Sequence, residues 1–107
     1  MGRKAVTLYP GTRRLLADMG ARIQLARLRR KLGIELVAER AGVSRSSVWA
    51  VERGSPAVSI GIYAQVLLAI GLDGDLAHIA ADDELGRTLQ DLDLPTRRRA
   101  PKGNSNG

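Results

Sequence analysis

The chain has 107 residues, which is enough for one compact domain with short tails but too few for a substrate cleft between two domains. Apolar residues make up 44% of the chain, aromatic residues only 3%, and phenylalanine is absent, so the core must be built from aliphatic side chains, as in small helical proteins. Because there is no cysteine and His78 is the single histidine, disulfides and thiolate zinc sites are excluded, and neither a metal nor a cofactor is expected.

The net charge of +6 is distributed unevenly along the chain. Residues 1–60 hold 12 Lys and Arg against 4 Asp and Glu, whereas residues 61–94 hold 7 acidic residues and only Arg87. The first half is therefore predicted to face a polyanion, and the acidic half to point away from it. Residues 96–107, "TRRRAPKGNSNG", form a basic tail that has nothing to bury and is expected to be disordered.

The first predicted elements are an arm and a long helix. Residues 1–11 are interpreted as an N-terminal arm, in which "AVTLY" fits either a short strand or an unstructured segment before Pro10 and Gly11. Thr12 is a candidate N-cap for a helix that tolerates Gly20. The buried stripe of this helix is predicted to contain Leu15, Leu16, Met19, Ile23, Ala26 and Arg30.

Two short helices follow. Gly33 marks a break, "IELVAERAG" predicts a helix that ends at Gly42, and Ser44 can cap a further helix that closes at Gly54. The inward positions of the further helix are Val43, Val48 and Val51. A short helix, a tight turn and a second helix with this periodicity match the helix-turn-helix unit, whose second helix lies in the DNA major groove.

The outward side chains of that second helix are suited to DNA. Arginine pairs with guanine through two hydrogen bonds, and a tryptophan edge can cover a thymine methyl group, although Trp49 could instead fold back into the core. The predicted base contacts are Arg45, Ser46, Trp49 and Ala50. The predicted phosphate contacts are Arg22, Arg27, Arg29, Arg30, Lys31, Ser44, Ser47 and Arg53.

The second half of the chain is predicted to add a core helix and an acidic extension. "SIGIYAQVLLAIGL" begins at a serine cap, stops at Gly71, and has a core stripe of Ile60, Tyr63, Val66, Leu67 and Ile70. Residues 73–95 form the acidic extension, in which Leu85, Leu89 and Leu92 recur at helical spacing before Pro95. This leucine stripe could pack on the domain or present an interface to a second copy or another chain.

The stretch "LARLRRKLGIELVAERAGVSRSSVWAVERGSP" resembles the Xre/Cro-type (lambda-repressor-like) helix-turn-helix family. The residues that carry the resemblance are Arg27, Val37 and Ala38, Ala41 to Ser44, and Glu52 to Gly54. It implies an all-α fold of five to six helices, with the DNA-binding domain over residues 12–72. It also implies an ion pair between Arg27 and Glu52, with Arg27 near a phosphate. Gly33 and Ile34 depart from the family's usual Ser or Thr followed by Gln, so a cap and a phosphate contact are missing there.

A second resemblance extends over about residues 8–99 and rests on "MGARIQLARLRRKLGIELVAERAGVSRSSVWAVERG", "GIYAQVLLAIGL" and the acidic segment running into "DELGRTLQDLDLPTRRR". These are similar to HipB-type antitoxins. That likeness implies a homodimer that binds a palindromic operator in double-stranded DNA, autoregulates its operon, and neutralises a HipA-type Ser/Thr kinase toxin. The alternative is a stand-alone or phage-type Xre repressor without a toxin partner.

Two further classes are weighed against DNA binding. A protein-interaction adaptor could keep the helix-turn-helix shape, and so could a small enzyme. The enzyme is disfavoured because the sequence has no Ser/His/Asp cluster and no phosphate-cradling glycine loop. No stretch fits a signal peptide or a membrane span, which favours a cytoplasmic protein that joins the nucleoid when bound to its operator.

Overall fold

A computed structural model describes residues 6–93 of the chain, which divide into two compact units between Leu76 and Ala77. Their elements are α1 (Pro10–Arg29), α2 (Ile34–Ala41), α3 (Arg45–Glu52), α4 (Ile60–Ala69), a 3₁₀-helix (Asp73–His78) and α5 (Glu84–Leu92). The described part contains no strand, so the all-α prediction of five to six helices is confirmed. The basic tail over residues 96–107, with its predicted disorder, lies outside the described residues, as do the first five residues of the arm.

Helix α1 begins three residues earlier than predicted. Residues 6–9 form neither helix nor strand, which decides against a strand in that part of the arm. Tyr9 is the N-cap and makes no side-chain hydrogen bond to the helix, and Pro10 is the first helical residue. The prediction that Thr12 caps the helix was therefore wrong. The physical reason is that proline already has the φ of a helix and lacks the N–H that the first turn leaves unpaired.

The inward face of α1 also differs from the predicted stripe. Ile23 and Ala26 are buried as predicted, but Leu15 is 68% exposed. Arg30 is exposed too, because α1 ends at Arg29 and Arg30 is its C-cap. The neighbouring Arg27 is buried instead, so the stripe turns toward Arg27 at the end of the helix.

Glycine and serine residues set the bounds of α2 and α3 as predicted. Gly33 is the N-cap of α2, and Gly42 ends the helix with a φ of 71°, in the left-handed region that favours glycine. Ser44 caps α3 by accepting a hydrogen bond from the backbone N–H of Ser47 at 3.1 Å. The turn between the two helices is therefore fixed by local backbone chemistry.

Gly20 is required by a close approach of two backbones rather than merely tolerated. A Cβ added at this position would lie 2.6 Å from the carbonyl oxygens of Val51 and Glu52, at the end of α3. At Gly54, which has a φ of 71°, an added Cβ would meet the backbone of Leu16 in α1. The absence of side chains at these two glycines lets α3 pack directly on α1.

Helix α4 completes the core of the first unit. Ser59 caps it as predicted, and Tyr63, whose burial raises its pKa above the ordinary value, donates a hydrogen bond to the carbonyl oxygen of Ser55 at 2.8 Å. Ile60 does not belong to the core stripe, because as the first helical residue it is 68% exposed. The core consists of Ile23, Ala26, Val37, Ala38, Ala41, Val48, Val51, Tyr63, Val66, Leu67 and Ile70.

In the second unit, the structure describes residues 77–93, none of which is buried. Asp83 caps α5 by accepting a hydrogen bond from the backbone N–H of Gly86 at 3.0 Å. Leu85, Leu89 and Leu92 are exposed at 69%, 54% and 79%. Their spacing places the three leucines along one face of α5.

Among the described helices of the chain, none is long and apolar enough to cross a membrane.

Candidate nucleic-acid interface

The orientation of α3 is fixed by the side chains on its inner face. Val48 and Val51 have no solvent exposure, and Val43, just before the helix, is half-buried. The helix contacts α1, α2 and α4. Because its inner face is held by three other helices, its opposite face has a defined direction and is available to a partner.

A buried ion pair ties α3 to the end of α1. The Nε of Arg27 lies 2.6 Å from Oε2 of Glu52, and its Nη2 donates to Oε1 at 3.0 Å. The side chains are only 9% and 4% exposed. The hydrogen bond to Glu52 raises the pKa of the Arg27 guanidinium, burial works against this rise, and the negative charge of Glu52 adds to it. The ion pair predicted from the sequence is therefore present, with two parallel hydrogen bonds.

The guanidinium of Arg27 makes three contacts inside the domain. Besides its two bonds to Glu52, its Nη1 donates to the carbonyl oxygen of Leu32 at 2.9 Å. All three guanidinium nitrogens are thus used inside the domain, and the residue is only 7% exposed. Arg27 is thus held inside the domain, where it ties the end of α1 to α3.

The four residues predicted to contact bases lie on or beside the outer face of α3. Arg45 and Ser46 are exposed, and Ala50 is half-buried. Trp49 is 54% exposed, so the alternative that it folds back into the core is wrong. The guanidinium of Arg53 lies 4.4 Å from the centre of the Trp49 ring, a cation–π contact that holds the indole on this surface.

Three serine hydroxyls cluster at the N-terminus of α3. Oγ of Ser44 lies 3.1 Å from Oγ of Ser46 and donates to Oγ of Ser47 at 3.0 Å. Ser44 and Ser46 are exposed and Ser47 is half-buried. The serines combine with the first backbone N–H groups of the helix, the arrangement that receives phosphate oxygens at helix N-termini.

The remaining predicted phosphate contacts are all on the surface: Arg22, Arg29, Arg30, Lys31 and Arg53 are exposed. Arg30 donates through Nη1 to the carbonyl oxygen of Ala26 at 2.9 Å. Lys31 has a φ of 55°, which is uncommon for a residue other than glycine. The end of α1 and the turn after it therefore present a group of cations.

The structure adds three residues that were not predicted to belong to the interface: Gly33, Ile34 and Glu35. A carboxylate oxygen of Glu35 lies 3.6 Å from Nη1 of Arg45, and both side chains are largely exposed. An open groove runs along this pair and is lined by Gly33, Ile34, Glu35, Arg45, Ser46 and Trp49. In the sequence, the sign of this groove was that Gly33 and Ile34 differ from the residues usual in the family. That difference predicted the loss of a cap and of a phosphate contact, but it did not predict a new surface.

The comparison with known protein families agrees with this geometry. The family described as helix-turn-helix domain matches residues 18–79, more than half of the chain, so the chain belongs to that family. It is a DNA-binding protein of the Xre-like helix-turn-helix type, with the architecture of a transcription regulator. No curated protein matches the chain. Within residues 6–93, no group of three or more His, Asp and Glu side chains could hold a metal ion.

Proposed function

We propose that this protein is a sequence-specific, dimeric transcriptional repressor that inserts α3 into the major groove of its operator. The proposal is carried by the placement of α3. Its inner face is anchored by Val48, Val51 and Glu52, while Arg45 and Trp49 project outward from its first two turns. A recognition helix reads base edges with residues near its N-terminus, which is where these exposed side chains lie.

The two kinds of DNA contact are divided between the helices. Base discrimination comes from α3, chiefly from Arg45, which can donate two hydrogen bonds to guanine. Affinity that does not depend on sequence comes from the exposed cations at the end of α1, together with Arg53 and the serine cluster of α3. This division is supported by charge, since described residues 6–60 hold ten Lys and Arg against four Asp and Glu.

We further propose that residues 12–72, which follow the N-terminal arm, form the part of the chain that contacts DNA. Residues 73–95 would serve the dimer or a protein partner. The acidic extension would be repelled by DNA. Its exposed leucines at positions 85, 89 and 92 offer apolar anchors of the kind found at interfaces. A two-fold symmetric dimer would bind a palindromic operator with half-sites about 34 Å apart.

The particular role that we favour is that of a HipB-type antitoxin, which would repress its own operon and neutralise a HipA-type Ser/Thr kinase. The support is the resemblance of the sequence together with the exposed leucine stripe of α5, a surface that a repressor does not need for DNA. A stand-alone or phage-type Xre repressor is the second candidate. In that case, the stripe would serve only the homodimer.

DNA binding is tested by footprinting the DNA upstream of the protein's own gene. We expect a protected palindromic site for the wild type, and binding weakened by about 1 to 3 kcal/mol for Arg45→Ala. Arg87→Ala is the matched control, because Arg87 is an exposed arginine in the second unit. Equal DNA affinity of the wild type and Arg45→Ala would contradict the proposed insertion of α3 into the major groove.

The antitoxin role is tested with the product of the adjacent gene. If that product is a kinase, we expect a stable complex with the full chain, and suppression of the growth arrest caused by the kinase alone. A gene neighbourhood of phage functions, with no complex formed, would support the stand-alone repressor. Because this assay does not involve DNA, its result is independent of the footprint.

A further inference from the structure

The groove between the start of α2 and α3 has two walls of different chemistry. Ile34 and Trp49 provide apolar surface, and Arg45 with its partner Glu35 provides a charged donor. Ile34 is half-buried against the core, and Trp49 carries the guanidinium of Arg53 on its ring, so both apolar side chains are held in place.

We propose that this groove reads a 5-methylpyrimidine followed by guanine, that is, thymine–guanine or 5-methylcytosine–guanine, and that Glu35 positions Arg45 for the guanine. The proposal rests on the proposed insertion of α3 into the major groove. Guanine presents O6 and N7 there, and the C5-methyl group of the neighbouring pyrimidine projects into the same groove. A donor beside an apolar wall is complementary to this pair of features.

Arg45 can serve the guanine without leaving Glu35. A guanidinium has five N–H donors, and guanine uses two of them, so a third remains for the carboxylate that lies 3.6 Å away. The carboxylate restricts the directions that Arg45 can take, and a restricted donor distinguishes guanine from other bases better than a free one. Glu35 also places a negative charge close to the DNA, which lowers affinity for any sequence while Arg45 is not engaged.

The apolar wall supplies the second part of the recognition. A methyl group that leaves water against Ile34 and Trp49 gains free energy in proportion to its buried area. Unmethylated cytosine has no such group, and uracil has the hydrogen-bonding atoms of thymine without the methyl. The occupant is DNA rather than an acidic peptide because the groove belongs to the outer face of α3, beside the cations that suit a continuous polyanion.

The test starts from an operator obtained by selecting binding sites from random double-stranded DNA with the full chain. At the pyrimidine before the critical guanine, we expect uracil in place of thymine to weaken binding about fourfold. Cytosine should be weaker than thymine, and 5-methylcytosine should restore binding to within about twofold of thymine. Replacing the guanine with 7-deazaguanine, which lacks the N7 acceptor, should weaken binding about tenfold.

Two variants assign these effects to residues. Trp49→Ala should lose most of the preference for thymine over uracil, because only Ile34 of the apolar wall remains. Glu35→Gln should reduce the preference for guanine over adenine about threefold or more, while its affinity for unrelated DNA stays equal or rises. Glu39→Gln is the matched control, because Glu39 is an exposed glutamate one turn further along α2 and does not line the groove.

The possible failures are distinguishable. If the wild type selects no sequence, the proposed function is wrong and this inference falls with it. If the wild type selects a site but uracil binds as well as thymine, the reading of the methyl group is overturned while the repressor function stands. If cytosine binds best and Glu35→Gln abolishes that preference, Glu35 reads cytosine directly and does not position Arg45.

Discussion

The two units of the chain use their apolar side chains in opposite ways. The first unit, described over residues 6–76, buries eleven apolar residues in a shared core. In residues 77–93 of the second unit no residue is buried, and three leucines of α5 are exposed. A short helix obtains most of its stability from packing of its apolar face. The first unit thus contains its own stabilising contacts, and we expect the second to obtain them from a partner.

Charge separates the same two regions. Residues 6–76 hold ten Lys and Arg against six Asp and Glu, whereas residues 77–93 hold five acidic residues and one arginine. The basic unit is thus suited to DNA, and the acidic segment to a protein surface. Packing and charge thus divide this chain at nearly the same place.

The largest effect is expected for Glu52→Ala in the first unit. Removal of this carboxylate leaves the buried guanidinium of Arg27 without its partner, which should lower the free energy of unfolding by about 3 to 5 kcal/mol. Chemical denaturation measures the change. Glu39→Ala, at an exposed position of α2, serves as the control and should change stability by less than about 0.5 kcal/mol. Equal stability of the two variants would show that the ion pair does not hold α3.

A second large effect is expected for Gly20→Ala. The added Cβ would meet backbone oxygens at the end of α3, so the two helices must move apart, at a cost of about 3 kcal/mol. Gly11→Ala in the same helix is the control, because its Cβ meets no atom within 4 Å, and alanine favours the helix. Thermal melts of both variants decide the matter. A Gly20→Ala melting temperature at or above that of the wild type would contradict the close approach.

These two variants also mark how far the sequence could predict the fold. The ends of α2 and the caps of α3 and α4 were predicted because glycine and serine act on the adjacent backbone. The requirement for Gly20 was missed, since it depends on a helix some thirty residues further along the chain. Leu15 and Ile60 were wrongly predicted to be buried. The spacing of apolar residues indicates which face of a helix is buried, but it does not show how far along the helix other elements cover that face.

The candidate site was predictable to a similar depth. The outward position of Arg45 and the pairing of Arg27 with Glu52 followed from helical spacing and from the family resemblance. The contact between Glu35 and Arg45 could not be predicted, because it joins two helices whose relative angle is set by the core. The same limit applies to Arg27, whose sequence position gives no sign that it is only 7% exposed.

In the second unit, Leu89→Asp should act on association rather than on the fold of the first unit. A charge in the middle of the exposed leucine stripe should weaken self-association or partner binding at least tenfold, because the carboxylate must be desolvated. Thr88→Asp places the same charge at the adjacent residue of α5, off the stripe, and is the control. Light scattering after size-exclusion chromatography, with and without the adjacent gene product, measures the masses. Identical masses for the wild type and both variants would remove the stripe from any interface.

Lys31→Gly is expected to have two smaller effects, a gain in stability and a loss of DNA affinity. Lys31 has a φ of 55°, where glycine is not strained, so the variant should gain up to about 1 kcal/mol of stability. It should also bind DNA several-fold more weakly on all sequences, since one cation is lost. Melting and binding are measured on the same preparation. Higher stability with unchanged DNA affinity would show that Lys31 does not contact a phosphate.

In the proposed complex, α3 reads bases, whereas the cations at the end of α1 supply only charge. The direct test is parallel selection of binding sites from random DNA with the wild type, Arg45→Ala and Arg29→Ala, followed by salt titration of each complex. We predict that Arg45→Ala loses the preference at one base pair of each half-site. Arg29→Ala should keep the selected sequence and show a shallower dependence of affinity on salt. A changed sequence for Arg29→Ala with an unchanged one for Arg45→Ala would contradict the account.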